Sequence, residues 1–158
     1  MSRIALSVSI AALAGCTAPV FKDAPPSAER PLDVAGEPER YHDTDVLWGG
    51  KIIAVRNLEG TTEVQVVAYP LDDAQRPLQA APTEGRFIVA LPGYVEALDY
   101  PLGRFVTLRG QVHGTRSGRV DDHDYVFPLV ENATVHLWPV NFPYERPRIS
   151  FGIGVGLH

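Results

Sequence analysis

VLWGGKIIAVRNLEGTTEVQVVAYPL, residues Val46–Leu71, reads as two β-strands joined by a turn. The flanking runs VLWGGKIIAVRNL (Val46–Leu58) and TEVQVVAYPL (Thr62–Leu71) are rich in Val, Ile, Thr and aromatic residues. Glu59–Gly60–Thr61 places a glycine where a hairpin needs a positive backbone angle. Val64, Val66 and Ala68 alternate with Glu63 and Gln65, the period of a strand with one buried and one wetted face. Working outward, RFIVAL (Arg86–Leu91), GRFVTLRGQVHG (Gly103–Gly114), YVFPLVENA (Tyr125–Ala133) and TVHLWP (Thr134–Pro139) repeat this composition. In the longest of them Val106, Leu108 and Val112 share the expected inner face, with Thr107, Arg109 and Gln111 outward. Only GYVEALD (Gly93–Asp99) predicts a helical turn or two. The domain is therefore all-β, with five to seven mainly antiparallel strands. Gly49, Gly50 and Gly110 interrupt strands where a barrel must bend or bring backbones close. These features predict a small OB-like antiparallel β-barrel, a five-stranded Greek key with a long bent first strand and a short helix before the last pair. A β-sandwich is the alternative.

The first residues carry a different signal. Arg3 precedes an apolar run, Ile4–Ala14, broken by Ser7 and Ser9 and closing in LAGC (Leu13–Cys16). The run is too short to span a bilayer and has the n-region, h-region and small-residue end of a secretory signal. The pattern resembles a bacterial lipobox. Residues 1–15 are then a lipoprotein signal, and Cys16 is the lipid-attachment residue that partners the membrane. Thr17, in place of Asp, favours delivery to the outer membrane. Cys16 is the sole cysteine, so no intramolecular disulfide is available. Residues 16–40 hold Pro19, Pro25, Pro26, Pro31 and Pro38 without apolar periodicity, which predicts an extended Pro-rich tether. The barrel is expected over 41–140. In the tail, 141–158, Ile149, Phe151, Ile153, Val155 and Leu157 alternate with Ser150, Gly152, Gly154 and Gly156. Such a strand is expected to add to a sheet edge, self-associate or touch lipid.

Composition excludes several functions. The 158-residue chain has a net charge of −5, and loss of Arg3 with the signal leaves 13 basic against 19 acidic residues, a charge of −6. A nucleic-acid binder needs a basic footprint, so no nucleic-acid partner is expected. No G-x-S-x-G elbow, P-loop or G-x-G-x-x-G before a helix is present, so no catalytic or cofactor-binding residue is assigned. Asp121, Asp122, His123 and Asp124 combine oxygen donors with an imidazole, yet an Asp-rich run between strands is usually a solvated turn, and no metal site is assigned. His42–Asp43–Thr44–Asp45 carries the same ambiguity at the turn leading into the first strand. Of the aromatic residues Trp48, Tyr69, Phe87, Phe105, Tyr125, Phe127 and Trp138, most are expected in the core and Trp138 at the surface.

The ordered motifs VLWGGKI (Val46–Ile52), EVQVVAYPL ending in Tyr69–Pro70–Leu71, GRF (Gly85–Phe87), DYPLGRFVTLRGQVHG (Asp99–Gly114), DYVFPLV (Asp124–Val130) and HLWP (His136–Pro139) resemble the Slp family of outer-membrane lipoproteins. Val95–Pro101 departs from the Gly-Phe-Leu-Asp-Pro run of many relatives. The resemblance implies an OB-like barrel and outer-membrane attachment, with no catalytic residues to carry over. The expected function is that of a non-enzymatic envelope lipoprotein, a binding or structural module linked to starvation or stationary-phase stress. Its expected partners are the membrane, through the lipid, and an envelope protein or a second copy through the tail. A small-ligand or divalent-metal-binding periplasmic module is the alternative.

Overall fold

The computed structural model describes residues 18–142. Cys16 and the strand expected at Ile149–Leu157 lie outside the described residues. β1 (Asp45–Leu58) and β2 (Thr61–Ala68) form the expected hairpin, and Gly60 turns it with φ 73°. β3 (Arg86–Pro92), β4 (Phe105–Val120) and β5 (His123–Leu137) close a barrel in the order β1-β2-β3-β5-β4, with β4 paired back to β1. Neighbours are antiparallel except β3 and β5, which run parallel at Ile88–Leu129 and Val89–Val130. The fold is the expected five-stranded, OB-like barrel.

Side-chain alternation builds the core. Val46, Trp48 and Ile52 of β1, Val64 and Val66 of β2, Phe87 and Val89 of β3, and Val106, Leu108 and Val112 of β4 meet inside. A Cβ on Gly50 would collide with the Val67 carbonyl, and one on Gly110 would sit 2.5 Å from Val130 Cγ1, so glycine permits both close approaches. The core void is about 10 Å³, lined by residues such as Val64, Leu91 and Leu108. That is room for one water at most, so this part of the barrel interior is filled by side chains among the described residues.

Three expectations need correction. YVFPLVENA and TVHLWP are one strand, β5, interrupted by a bulge: Asn132 has φ 52°, and the register against β4 shifts between Arg109 and Gln111. The extra residue flips the inward phase from Val130 to Ala133, Val135 and Leu137. Gly93–Asp99 forms no helix. Its Tyr94 and Leu98 stand exposed and only Val95 packs on the core, so this short segment has little to offset helix nucleation.

The described part of the tether, residues 18–40, is not extended throughout. It contains helix α1 (Pro31–Gly36) and a 3₁₀ turn (Pro38–Tyr41), and Val34 is fully buried in the barrel core. Pro31 fits the first helical turn. Asp33 accepts the Arg30 N–H at 3.1 Å and pairs with its guanidinium at 2.6 Å. The Asp33 carboxyl lies below its usual range, chiefly through the Arg30 hydrogen bond.

The segment before α1 is fastened to the barrel by specific polar contacts. Gln75 Nε2 donates to the carbonyls of Phe21 and Ala24 at 3.0 and 2.7 Å, and Gln75 Oε1 accepts the Phe21 N–H at 2.7 Å. Ser27 Oγ accepts the Leu47 N–H, and Trp48 Nε1 donates to the Glu29 carbonyl. The segment from Phe21 to Glu29 thus jackets the outer face of β1 and β4 together with the loop after β2, while α1 packs against β3 and β5 and inserts Val34 into the core.

That jacket explains a further difference. Arg109 is exposed and Gln111 half-buried, as expected, but Thr107 is 0 % exposed. Its hydroxyl donates to the Gln75 carbonyl at 2.7 Å and accepts from Trp138 Nε1 at 2.9 Å. Among the described residues no helix is long and apolar enough to cross a membrane.

Candidate functional site

β4 and β5 run on past the barrel as a long hairpin whose tip is Asp121–Asp122. Where this hairpin leans over β2, it forms a groove of about 90 Å³ lined by Arg56, Glu63, Gln65, Arg116, Arg119 and Phe127 among others. Glu63 was expected on a wetted face, yet only 5 % of it is exposed. Arg116 Nε and Nη2 both donate to Glu63 Oε1, at 2.9 and 2.6 Å, which satisfies the buried carboxylate and fixes the guanidinium against the groove floor. Arg119 reaches Asp122 Oδ1 at 3.8 Å in solvent, a weak pairing that leaves its charge available at the rim. Three guanidinium groups, one of them paired with Glu63, stand around a mixed lining that includes Gln65, Ile88 and Phe127, which suits an anionic or carbonyl-rich surface. No side chain there is poised as a nucleophile beside a base.

The aromatic residues take mostly structural positions. Trp48, Phe87, Phe105 and Phe127 are buried, while Tyr69 and Tyr125 are half-buried. Trp48 packs on Phe87 at 5.2 Å, and the Tyr125 hydroxyl accepts the Arg86 N–H at 2.9 Å. Trp138 is half-buried, stacked on Phe142 at 4.8 Å with His136 edge-on at 4.6 Å. Burial holds the His136 imidazole below its ordinary value of 6.5. No row of exposed rings lines the groove.

A larger, open depression of about 420 Å³ lies beside Phe105, edged by Lys51, Arg104, Leu102 and Val140. Leu102 and Val140 are both exposed.

The two acidic–histidine runs behave differently. Asp121, Asp122, His123 and Asp124 are all exposed around the two-residue hairpin turn, with Asp121 at φ 53°, and their side chains form no ligand cluster. His42 and Asp43 do converge, with a partner that sequence reasoning missed, His113 of β4. Its outward phase beside Val112 was visible in the alternation. Its neighbour across the β1–β4 register, where Asp45 faces Gln111, was not.

Residues 13–152 match the outer membrane lipoprotein Slp family. Among its relatives, the Escherichia coli K12 protein named "Uncharacterized lipoprotein YeaY" is 30% identical over 129 residues, 80% of this chain and 66% of that protein. A Haemophilus influenzae protein named "Uncharacterized protein" is 31% identical over 107 residues, 67% of this chain and 58% of the relative. The Escherichia coli "Outer membrane protein Slp" is 28% identical over 105 residues, 66% and 55% of the two chains. The chain thus spans between 55% and 66% of these relatives' lengths. With the family match covering the barrel, the jacket before it and the LAGC segment, the chain belongs to the outer membrane lipoprotein Slp family.

Proposed function

We propose that this protein is a non-enzymatic outer-membrane lipoprotein, anchored through acyl chains on Cys16, whose barrel recognises another envelope component on its outer surface. The observation that carries the recognition half is the filled barrel. With about 10 Å³ inside, binding is left to exterior features, and the Arg56–Arg116–Arg119 groove sets three guanidinium groups against one carboxylate, Glu63, beside Ile88 and Phe127. Such a surface fits an acidic patch on a protein partner. Two or more acyl chains on one residue hold a protein stably at a bilayer, which supports the anchoring half.

Mass spectrometry of the mature N-terminus tests the anchor: a Cys16 bearing acyl chains is expected, and an unacylated Cys16 sinks it. For recognition, in-cell crosslinking from the groove should yield a defined adduct that Arg56→Glu with Arg119→Glu abolishes. An adduct unchanged by charge reversal would move the binding face elsewhere. The link to starvation is read from protein abundance through growth, with a rise expected on entering stationary phase.

A further inference from the structure

The turn into β1 and the outer face of β4 bring His42, Asp43 and His113 together, and we propose that these three residues bind a borderline divalent transition-metal ion such as Zn²⁺. Their donor atoms all lie within 4.8 Å of one another. His42 Nδ1 is 3.1 Å from Asp43 Oδ2, and His113 Nδ1 is 3.8 Å from Asp43 Oδ1, so the carboxylate stands between the two imidazoles. The rings are 5.3 Å apart and tilted by 45°, which leaves the space between them unfilled by stacking. Zinc bonds of about 2.0–2.2 Å put neighbouring donors of a tetrahedral set roughly 3.4 Å apart, so three donors within 4.8 Å of one another lie near that spacing.

The backbone under the cluster is held in place by long-range bonds. The Asp43 N–H donates to the Val112 carbonyl at 2.8 Å, the Val112 N–H to the Thr44 carbonyl at 2.9 Å, and Gln111 Nε2 to the Asp43 carbonyl at 3.0 Å. These bonds tie the His42–Asp43 turn to the strand that carries His113, so the pair far apart in sequence keeps its spacing. Only rotation of exposed side chains is then needed to close on an ion.

The donor chemistry selects the metal class. Two imidazole nitrogens and one carboxylate oxygen suit Zn²⁺, Ni²⁺ or Cu²⁺, whereas Mg²⁺ and Ca²⁺ prefer all-oxygen sets. All three residues are exposed, so an ion enters from water and keeps positions open for water or for a donor from outside the chain. This proposal concerns a face other than the arginine groove and stands whether or not Cys16 is acylated.

Isothermal titration of the detergent-solubilised full chain with ZnCl₂, in a non-coordinating buffer, tests it. One equivalent should bind, with affinity reduced at least about tenfold by His113→Ala and by His42→Ala. His123→Ala at the hairpin tip should leave it unchanged, and MgCl₂ should give no saturable signal. Because the three side chains are exposed, circular dichroism should show the variants folded as the wild type. Absence of saturable Zn²⁺ binding overturns the proposal. So does equal binding by wild type and a His42→Ala/His113→Ala variant, which means an adventitious ion only.

Discussion

The barrel has a jacketed side and a bare side, and the same kind of residue fares differently on each. Outside β1 and β4, the segment from Phe21 to Glu29 and the loop holding Gln75 cover the strands, and Thr107 is sealed between Gln75 and Trp138. Outside β2, the cover among the described residues is the β4–β5 hairpin, and Glu63 is reached by Arg116, itself half in solvent. Both residues are polar and both occupy the outward phase of a strand. Alternation therefore reports which side chains face the core and says nothing about what another part of the chain lays over the opposite face.

The largest effect expected separates inside from outside. Leu108→Ala should cost about 2–5 kcal/mol in chemical denaturation, and Arg109→Ala less than about 0.5 kcal/mol. Similar losses for the two would erase the distinction between faces. Next, Gln75→Ala should cost about 1–3 kcal/mol and expose the chain near Phe21 to limited proteolysis, because three backbone groups lose a buried partner. An unchanged cleavage pattern would mean that the jacket is held by its apolar contacts instead.

On the bare side, Arg116→Ala should cost less, about 1–2 kcal/mol: the Glu63 carboxylate loses its partner but can still draw in water through the open groove. Glu63→Gln together with Arg116→Ala should recover part of that loss, and a double variant worse than the single would refute the pairing. The smallest effect concerns His136. Since burial lowers its folded value, its contribution to stability is fully present above about pH 6.5 and is lost as pH falls through the lower folded value. His136→Phe should flatten that part of a pH–stability profile, and an unaltered slope would assign it to other groups.

Much of the barrel is legible in the sequence. The Val64–Val66–Ala68 and Val106–Leu108–Val112 alternations mark the inner face directly, and Gly60 marks the hairpin. β5 was misread as two strands because the bulge at Asn132 shifts the phase by one residue, and a phase shift within one strand looks like a break between two. The jacket was hidden for another reason. Five prolines between 17 and 40 argue against regular structure, while Pro31 with Asp33 three residues after Arg30 is a helix-start signal that they obscured. Gln75, buried with φ 64° in a polar loop, has no sequence signature at all. The His42–Asp43–His113 cluster was half visible, since strand phase places His113 outward but only the β1–β4 register supplies its neighbours.

The Gln75 clamp also sets a leash length. Phe21 is fastened to the barrel and Cys16 lies five residues before it, so the slack between them is at most about 18 Å of fully stretched chain. A lipid on Cys16 would keep the Gln75 flank within that reach of the bilayer. Through Thr107 and Trp138 that flank adjoins the shoulder where exposed Leu102 and Val140 sit with Lys51 and Arg104, a greasy, cationic footing suited to an anionic lipid surface. The acidic hairpin tip at Asp121–Asp122 lies beyond the other end of β4, the strand that begins at Phe105 beside that footing.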